Sequence, residues 1–250
     1  MPLDIAALRA RRPQTEFHYF PSIDSTMREA ARLVTAGAPY GAVVIADEQS
    51  AGMGRLGRAW HSEAEAGIYC SVLLRFAVPS NQTPVVTLLL GLATAAAIEK
   101  TTDLACDLRW PNDVLINGKK TAGILAQLVD ACIIAGIGIN VNQSELPDGL
   151  RTPATSLRIA SGGRNQSREA ILLALLDSID SFGEMLLHAG PEAVIRAFSA
   201  ASSYAVDRRV ILEETGQHGT TAGVDSNGFL LVRFDSGKVE RIAAGGVRPE

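Results

Sequence analysis

The sequence predicts an α+β fold, with a mixed β-sheet domain over residues 1–204 and a small β-barrel over 205–250. Three observations lead there. Strand-like runs cluster after helical ones without regular βαβ alternation, which favours a mixed sheet over a doubly wound one. The strand candidates are short apolar runs bounded by Gly, Pro, Asn and Asp. After Ala205 the texture changes to brief strands separated by tight turns. The barrel segment is too short to be very stable without docking on the larger domain.

Composition narrows the function classes. The 250 residues, 47% hydrophobic, supply one large core and a small appendage, and the net charge of −4 argues against a general nucleic-acid binder. Cys70, Cys106 and Cys132 lie in apolar runs without metal spacing, so buried free thiols of a reducing cytoplasm are expected. Met1 to Arg12 is too charged for a signal peptide. The stretch Val85 to Ile98 is interrupted by Thr and Gly and is expected to fall short of a membrane span. A soluble, cytoplasmic protein is the expectation.

Each element follows from local pattern. Leu3 to Arg11 reads as a short helix stopped at Pro13, and Glu16 to Phe20 as a strand. Thr26 and Glu29 have capping-box spacing, with Met27, Ala30, Ala31 and Val34 on one helix face and Gly37 at its end. From spacing alone, capping is the simpler reading of Ser25 and Thr26, although a helix N-terminus also offers free N–H groups to a ligand. Ala42 to Ala46 and Gly67 to Phe76 read as strands, and Thr83-Pro84 opens a helix to about Lys100 that is buried on nearly all sides. Cys106 to Trp110, Val114 to Ile116, Thr121 to Val129 and Ala131 to Val141 follow as strands, with a hairpin at Asn117-Gly118. Residues 146–167 read as loop. Ser167 caps a long amphipathic helix, and Gly190-Pro191 begins another. Four strands finish the chain: Val210 to Leu212, Thr220 to Val224, Phe229 to Phe234 and Val239 to Ile242.

The stretch most suggestive of chemistry is Gln49 to Trp60. Gly52, Gly54 and Gly57 let the backbone approach a ligand, while Arg55 and Arg58 offer planar donor forks that match phosphate oxygens. No helix opens inside the glycine run, so this is not a dinucleotide loop, and Gly-Lys-Ser/Thr is absent, so it is not a Walker loop. It reads as a grip for a phosphate or an acyl-phosphate. Lysines occur only at 100, 119, 120 and 238, which makes Lys119-Lys120 conspicuous as a cation brought to a carboxylate or a developing charge. Asp113 could face the same cleft, and two glycines in Ala135 to Asn140 mark close approach of a ligand or another backbone. His18, His61, His188 and His218 have neither metal nor triad spacing.

Five motifs in order carry a resemblance: Asp24-Ser25-Thr26, Gln49 to Trp60, Arg109 to Asp113, Gly118 to Leu125 and Gly136 to Val141. Together they closely resemble biotin protein ligase, over the whole chain. The resemblance implies a mixed-sheet catalytic domain of the biotin/lipoate ligase type followed by an SH3-like barrel. It also implies two half-reactions, formation of biotinyl-5′-adenylate from biotin and ATP, then transfer to a lysine of a biotin carboxyl carrier domain. The resemblance brings ATP and Mg²⁺ as cofactors, with Asp113 on the metal side. It assigns biotin to Ser25, Thr26, Met27, Gln49, Gly52, Met53, Gly54, Arg55, Lys120, Gly123, Gly136 and Gly138. It assigns the adenylate to Arg55, Arg58, Trp60, Asn112, Asp113, Lys120 and Asn140, and makes Arg55 and Lys120 catalytic.

Two positions depart from that pattern, Met53 where the family loop usually has arginine and Met27 where it usually has asparagine. Fewer cations near the anhydride imply weaker retention of the intermediate. Only a short segment precedes Phe17, so a ligase without a DNA-binding repressor domain is expected, with no DNA or membrane partner. A lipoate or octanoate ligase and a non-catalytic biotin sensor are the rival readings. An exposed sheet edge could pair with the carrier, with a second subunit as a homodimer, or with neither.

Overall fold

The computed structural model describes residues 1–76, 79, 82–147, 149–150 and 152–250. Its larger sheet has the order β1-β2-β3-β7-β6-β5-β4. The strands are β1 (Phe17–Phe20), β2 (Val43–Ala46), β3 (Gly67–Leu74), β4 (Asp107–Arg109), β5 (Asp113–Ile116), β6 (Lys119–Val129) and β7 (Cys132–Asn140). Only β1 and β2 run parallel; every other neighbouring pair is antiparallel.

Both faces of this sheet are covered, and that is why β3 reads as eight consecutive buried residues. On one face lie α3 (Thr83–Thr102), α5 (Arg168–Ala189) and α6 (Pro191–Ala200), around the main core. On the other lies α2 (Thr26–Thr35), whose Met27 and Ala30 meet Val44, Leu73 and Ile134. A short α1 (Ile5–Arg11) touches β1 and α5.

Helix α3 corrects one expectation. Its 20 residues are long and apolar enough to cross a membrane, because isolated Thr and Gly do not break the apolar run. Most of that length is buried inside the fold against α5 and α6, which explains its uniform apolarity. The cap of α2 is also shifted by one residue: Ser25 is the N-cap and makes no side-chain cap bond, while the Thr26 hydroxyl, expected to cap, donates to Gln49. Gly37 closes that helix at φ +80°, as expected. Within the expected loop 146–167, of which 148 and 151 lie outside the described residues, Ser156 caps a four-residue helix α4 (Leu157–Ala160). Cys106 is half-buried, whereas Cys70 and Cys132 are buried; all three thiols are free.

The second sheet is antiparallel, with order β11-β10-β9-β8-β12. It comprises β8 (Val206–Leu212), β9 (His218–Val224), β10 (Leu230–Phe234), β11 (Val239–Ile242) and an additional β12 (Val247–Pro249). It docks where the glycine-loop side of the first sheet ends. The Trp110 indole N–H donates to the Gly228 carbonyl at 3.0 Å. Gly228 is at φ +85°, and a Cβ there would lie 2.9 Å from the Val85 nitrogen at the start of α3. The docking is close enough to require glycine.

Candidate active site

A cleft opens on the α2 face of the sheet, roofed by the glycine loop and bordered by the second sheet. Its floor is made by register. Gly123 pairs with Gly138 and Leu125 with Gly136, so three glycines share one face of β6 and β7. A Cβ at Gly138 would come within 2.4 Å of Trp60 Cε2, and one at Gly136 within 2.5 Å of Met27 Sδ. The bare strand surface is therefore covered by Trp60 and Met27, which themselves line the cleft.

Lys120 reaches this face through a bulge. Position 120 is an odd number of residues from Gly123, so a regular strand would point the two to opposite faces. Between Val114 and Leu115 the β5–β6 register slips, with Val114 opposite Ala122 but Leu115 opposite Lys120. That extra residue re-aims the side chain. Lys120 Nζ then lies 5.3 Å from the Trp60 ring centroid and 2.6 Å from Asp113 Oδ1. A strap from beyond β7 holds the Lys120 backbone, which donates to Pro153 O at 2.8 Å and accepts from Thr155 N at 2.9 Å.

Asp113 is a counter-ion between two cations. Its second oxygen accepts from Arg109 Nη2 at 2.5 Å, and Arg109 also reaches the Thr152 hydroxyl at 3.3 Å. Burial pushes the Asp113 carboxyl up, but Lys120 and Arg109 outweigh it and hold the carboxyl below its ordinary range. Both oxygens are thus engaged. Among the described residues no group of three or more His, Cys, Asp and Glu could hold a metal ion. Asp113 therefore stands in the site as the shared counter-ion of Lys120 and Arg109.

The glycine loop is a small hairpin. Trp60 N donates to Gly52 O at 2.9 Å and Gly54 N to Arg58 O at 2.7 Å, with a single 3₁₀ turn, Arg55–Gly57, at the tip. Leu56 occupies φ +57° there, a conformation costing a non-glycine residue on the order of 1 kcal/mol. Arg55 Nη1 donates to Asn112 Oδ1 at 3.3 Å and to Gly245 O at 3.0 Å. Burial lowers the Arg55 pKa, with Asp113 opposing, and the guanidinium stays charged. Arg58 faces Glu213 at 3.4 Å. Met53 lines the cleft and is 39% exposed.

At the other end the polar groups are neutral. Thr26 donates to Gln49 Oε1 through its backbone N–H at 2.9 Å and its hydroxyl at 3.1 Å. Gln49 Nε2 donates to Ser62 Oγ at 3.0 Å, and Ser71 Oγ to Thr26 Oγ1 at 2.9 Å. Two buried polar atoms lack any partner, Ser25 Oγ next to Thr26 and Trp60 Nε1 over Gly138. Each such orphan costs about 1–3 kcal/mol, which a hydrogen-bonding ligand would recover.

Of the residues expected in the site, Ser25, Gly52 and Asn140 do not line the cleft. Ser25 is enclosed behind Thr26; Gly52 is pressed against Trp60 O, where a Cβ would be 2.6 Å away. Asn140 is buried with its amide donating to Thr155 O at 3.2 Å, so it secures the strap that holds Lys120. None of the four histidines lines the cleft. Sequence reasoning missed Arg109 as a site residue, and also Thr152, Glu213, Gly245 and Gly246. Arg109 left a signal, a lone arginine inside a short buried strand; the others left none. Cys70 also borders the cleft, but burial pushes its thiol up to about 12, so it is no nucleophile.

Residues 19–144 match the biotin/lipoate A/B protein ligase family. The chain is 37% identical over 226 residues to the bifunctional ligase/repressor BirA of Bacillus spizizenii, covering 88% of this chain and 70% of that one. It is 33% identical over 224 residues to the biotin–[acetyl-CoA-carboxylase] ligase of Mycobacterium tuberculosis, covering 87% and 82%. Its fold matches the biotin protein ligase of Aquifex aeolicus in complex with biotin and ATP, with a TM-score of 0.80 and 31% identity over 93% of this chain and 97% of that one. The chain belongs to the biotin/lipoate A/B protein ligase family, among the biotin protein ligases.

Proposed function

We propose that this protein attaches biotin to a specific lysine of a biotin carboxyl carrier domain in the cytoplasm, through biotinyl-5′-adenylate. The observation that supports it is a single cleft joining the neutral side chains of Thr26 and Gln49 to an end bearing Arg55, Arg58 and Lys120. The neutral end suits a head group that is polar but uncharged. The cationic end suits a carboxylate meeting a triphosphate.

In this reading the biotin carboxylate attacks the α-phosphorus of ATP and pyrophosphate leaves. Lys120 and Arg55 hold the two anions together and stabilise the charge that grows between them, an effect of position and field rather than proton transfer. Arg58 and Asn112 serve the nucleotide side, with Trp60 as an aromatic wall. The carrier lysine amine then attacks the acyl carbon, and AMP leaves. Magnesium accompanies the ATP phosphates rather than a protein carboxylate. The hairpin loop excludes water from the mixed anhydride. The same reading divides the chain after residue 204, with the small sheet completing the nucleotide end.

Pyrophosphate exchange into ATP tests the first half-reaction. Exchange is expected with biotin and not with lipoate, reduced by about a hundredfold or more in Arg55→Ala and Lys120→Ala. Exchange with lipoate would overturn the substrate, and tight biotin binding without exchange would replace the ligase by a sensor.

A further inference from the structure

We propose that Arg168 is a positioning residue for the glycine loop, fastening both ends of the excursion from Asp47 to Gly67 and so setting how firmly it closes on the cleft. This deepens the ligase reading and rests on it for the loop's role. Arg168 is the first residue of α5 and only 4% exposed. Its Nη2 pairs with the Asp47 carboxylate where the chain leaves β2 for the loop. Its Nη1 donates to Glu65 O at 3.0 Å and its Nε to Gly67 O at 2.9 Å, where the chain returns to β3. Nη1 also donates to Met1 O at 3.0 Å, and the Met1 amine pairs with the Glu65 carboxylate at 2.8 Å. One guanidinium therefore touches the exit, the return and the chain's first residue.

The carboxylate side is equally committed. Asp47 is 3% exposed, and its other oxygen accepts the Tyr19 hydroxyl at 2.5 Å. Burial and the Asp47 charge push the Tyr19 hydroxyl up to about 12, so it remains a donor throughout the neutral range. Backbone bonds knot the same point, from Glu65 N to Asp47 O and from Asp47 N to Phe20 O, each 3.1 Å. Between these ends lie Gln49, Arg55, Arg58 and Trp60, the polar and aromatic side chains that the loop brings to the cleft.

Packing alone does not account for a cation here. The first turn of a helix is the wrong end of its dipole for a positive charge. An apolar pair of similar volume generally matches a buried ion pair in stability. What an apolar pair lacks is direction. The planar fork reaches three carbonyls and a carboxylate at fixed angles, which a lysine cannot reproduce.

Limited trypsin digestion with cut sites mapped by mass spectrometry tests this without any ligand. Arg55 and Arg58 report on the loop, and Arg208 and Arg241 on the second sheet. Cutting at the two loop sites should rise about tenfold in Arg168→Gln and about threefold in Arg168→Lys and Tyr19→Phe, with Arg208 and Arg241 unchanged. Unchanged loop cutting in a folded variant, or a parallel rise at all four sites, would overturn the proposal. If Arg168→Gln fails to fold, the two milder variants decide by the same criterion.

In pyrophosphate exchange, Arg168→Lys should raise the KM for ATP about fivefold and leave kcat within about twofold. Equal losses in both would overturn the positioning role. A parent that does not exchange with biotin would sink the ligase reading while the digestion result stood. A parent that exchanges, with unchanged loop cutting in the variants, would sink the clamp alone.

Discussion

The two ends of the cleft are finished differently. At the Ser25–Thr26–Gln49 end the polar groups are neutral, and the buried Ser25 hydroxyl has no protein partner. At the Arg55–Lys120 end the charged groups already have protein partners: Asp113 holds Lys120 and Arg109, Glu213 faces Arg58, and Gly245 takes Arg55. The first end spends stability to keep a donor or acceptor waiting. The second keeps its charges solvated by the protein until an anion competes for them. A neutral buried hydroxyl can be left unpaired at a cost of a kcal/mol or two, whereas an unpaired buried charge costs several.

Removing the counter-ion is the strongest way to break this contrast. Asp113→Asn leaves Lys120 and Arg109 side by side with no carboxylate between them, and should cost about 3 kcal/mol of folding stability. Denaturant unfolding at neutral pH measures it. The pH dependence carries a sign. The folded carboxyl is held below its ordinary value of 3.8, so its contribution is complete above that value and is lost as pH falls through the depressed folded one. The parent should therefore lose stability across that acid window, while Asp113→Asn, already without the charge, should show a flatter profile there. Equal acid slopes would mean that Asp113 is not held as an ion in the fold.

The contrast was half legible before the structure. Local signals carried the elements well. Pro84 opened α3, Asn117-Gly118 adopted φ +50° and +72° in the β5–β6 hairpin, and Ser167 accepted from Ala170 N as the cap of α5. The motifs gathered Gln49, Arg55, Trp60, Asp113 and Lys120 into one cleft. What failed to show was set by distant contacts. The four-residue α4 is too short to carry a period, and β12 contains Pro249, which weakens any strand signal. Glu213 and Gly245 reach the cleft only because the second sheet docks beside the loop. The motif resemblance assigned Asn140 to the adenylate pocket, yet its side chain serves the strap behind Lys120. The identity of Lys120's neighbours depended on a register slip that no local pattern announces.

The neutral end offers a test in which two effects have opposite signs. Ser25 is the N-cap of α2 but makes no cap bond, and its hydroxyl is enclosed without a partner. Ser25→Ala therefore removes an unsatisfied group without removing a cap. The ligand-free protein should gain about 1 kcal/mol of stability. In the proposed reading, where biotin takes up this hydroxyl on binding, biotin should bind about tenfold more weakly, the loss of one good hydrogen bond. Thermal unfolding with and without biotin reads both at once. If stability and affinity fall together, the hydroxyl is a structural group and the orphan is not waiting for a ligand.

The smallest expected effect lies at the charged end, at Met53. This side chain borders the cleft in the same hairpin as Arg55, half-open to solvent, at the position where the motif resemblance led us to expect an arginine. Met53→Arg adds a fourth guanidinium to a region whose existing cations are already partnered. Its charge would face the adenylate phosphate largely through solvent, so the gain is limited to that of an exposed ion pair, about 0.5 kcal/mol. Release of preformed intermediate should slow by about twofold at low salt, and the difference should vanish near 1 M salt, where the screening length shrinks to about 3 Å. A slowing that persists at high salt would place the new side chain in direct, desolvated contact with the phosphate. Unchanged release at low salt would mean that Arg55 and Lys120 already saturate the anion, and that Met53 has no part in retention.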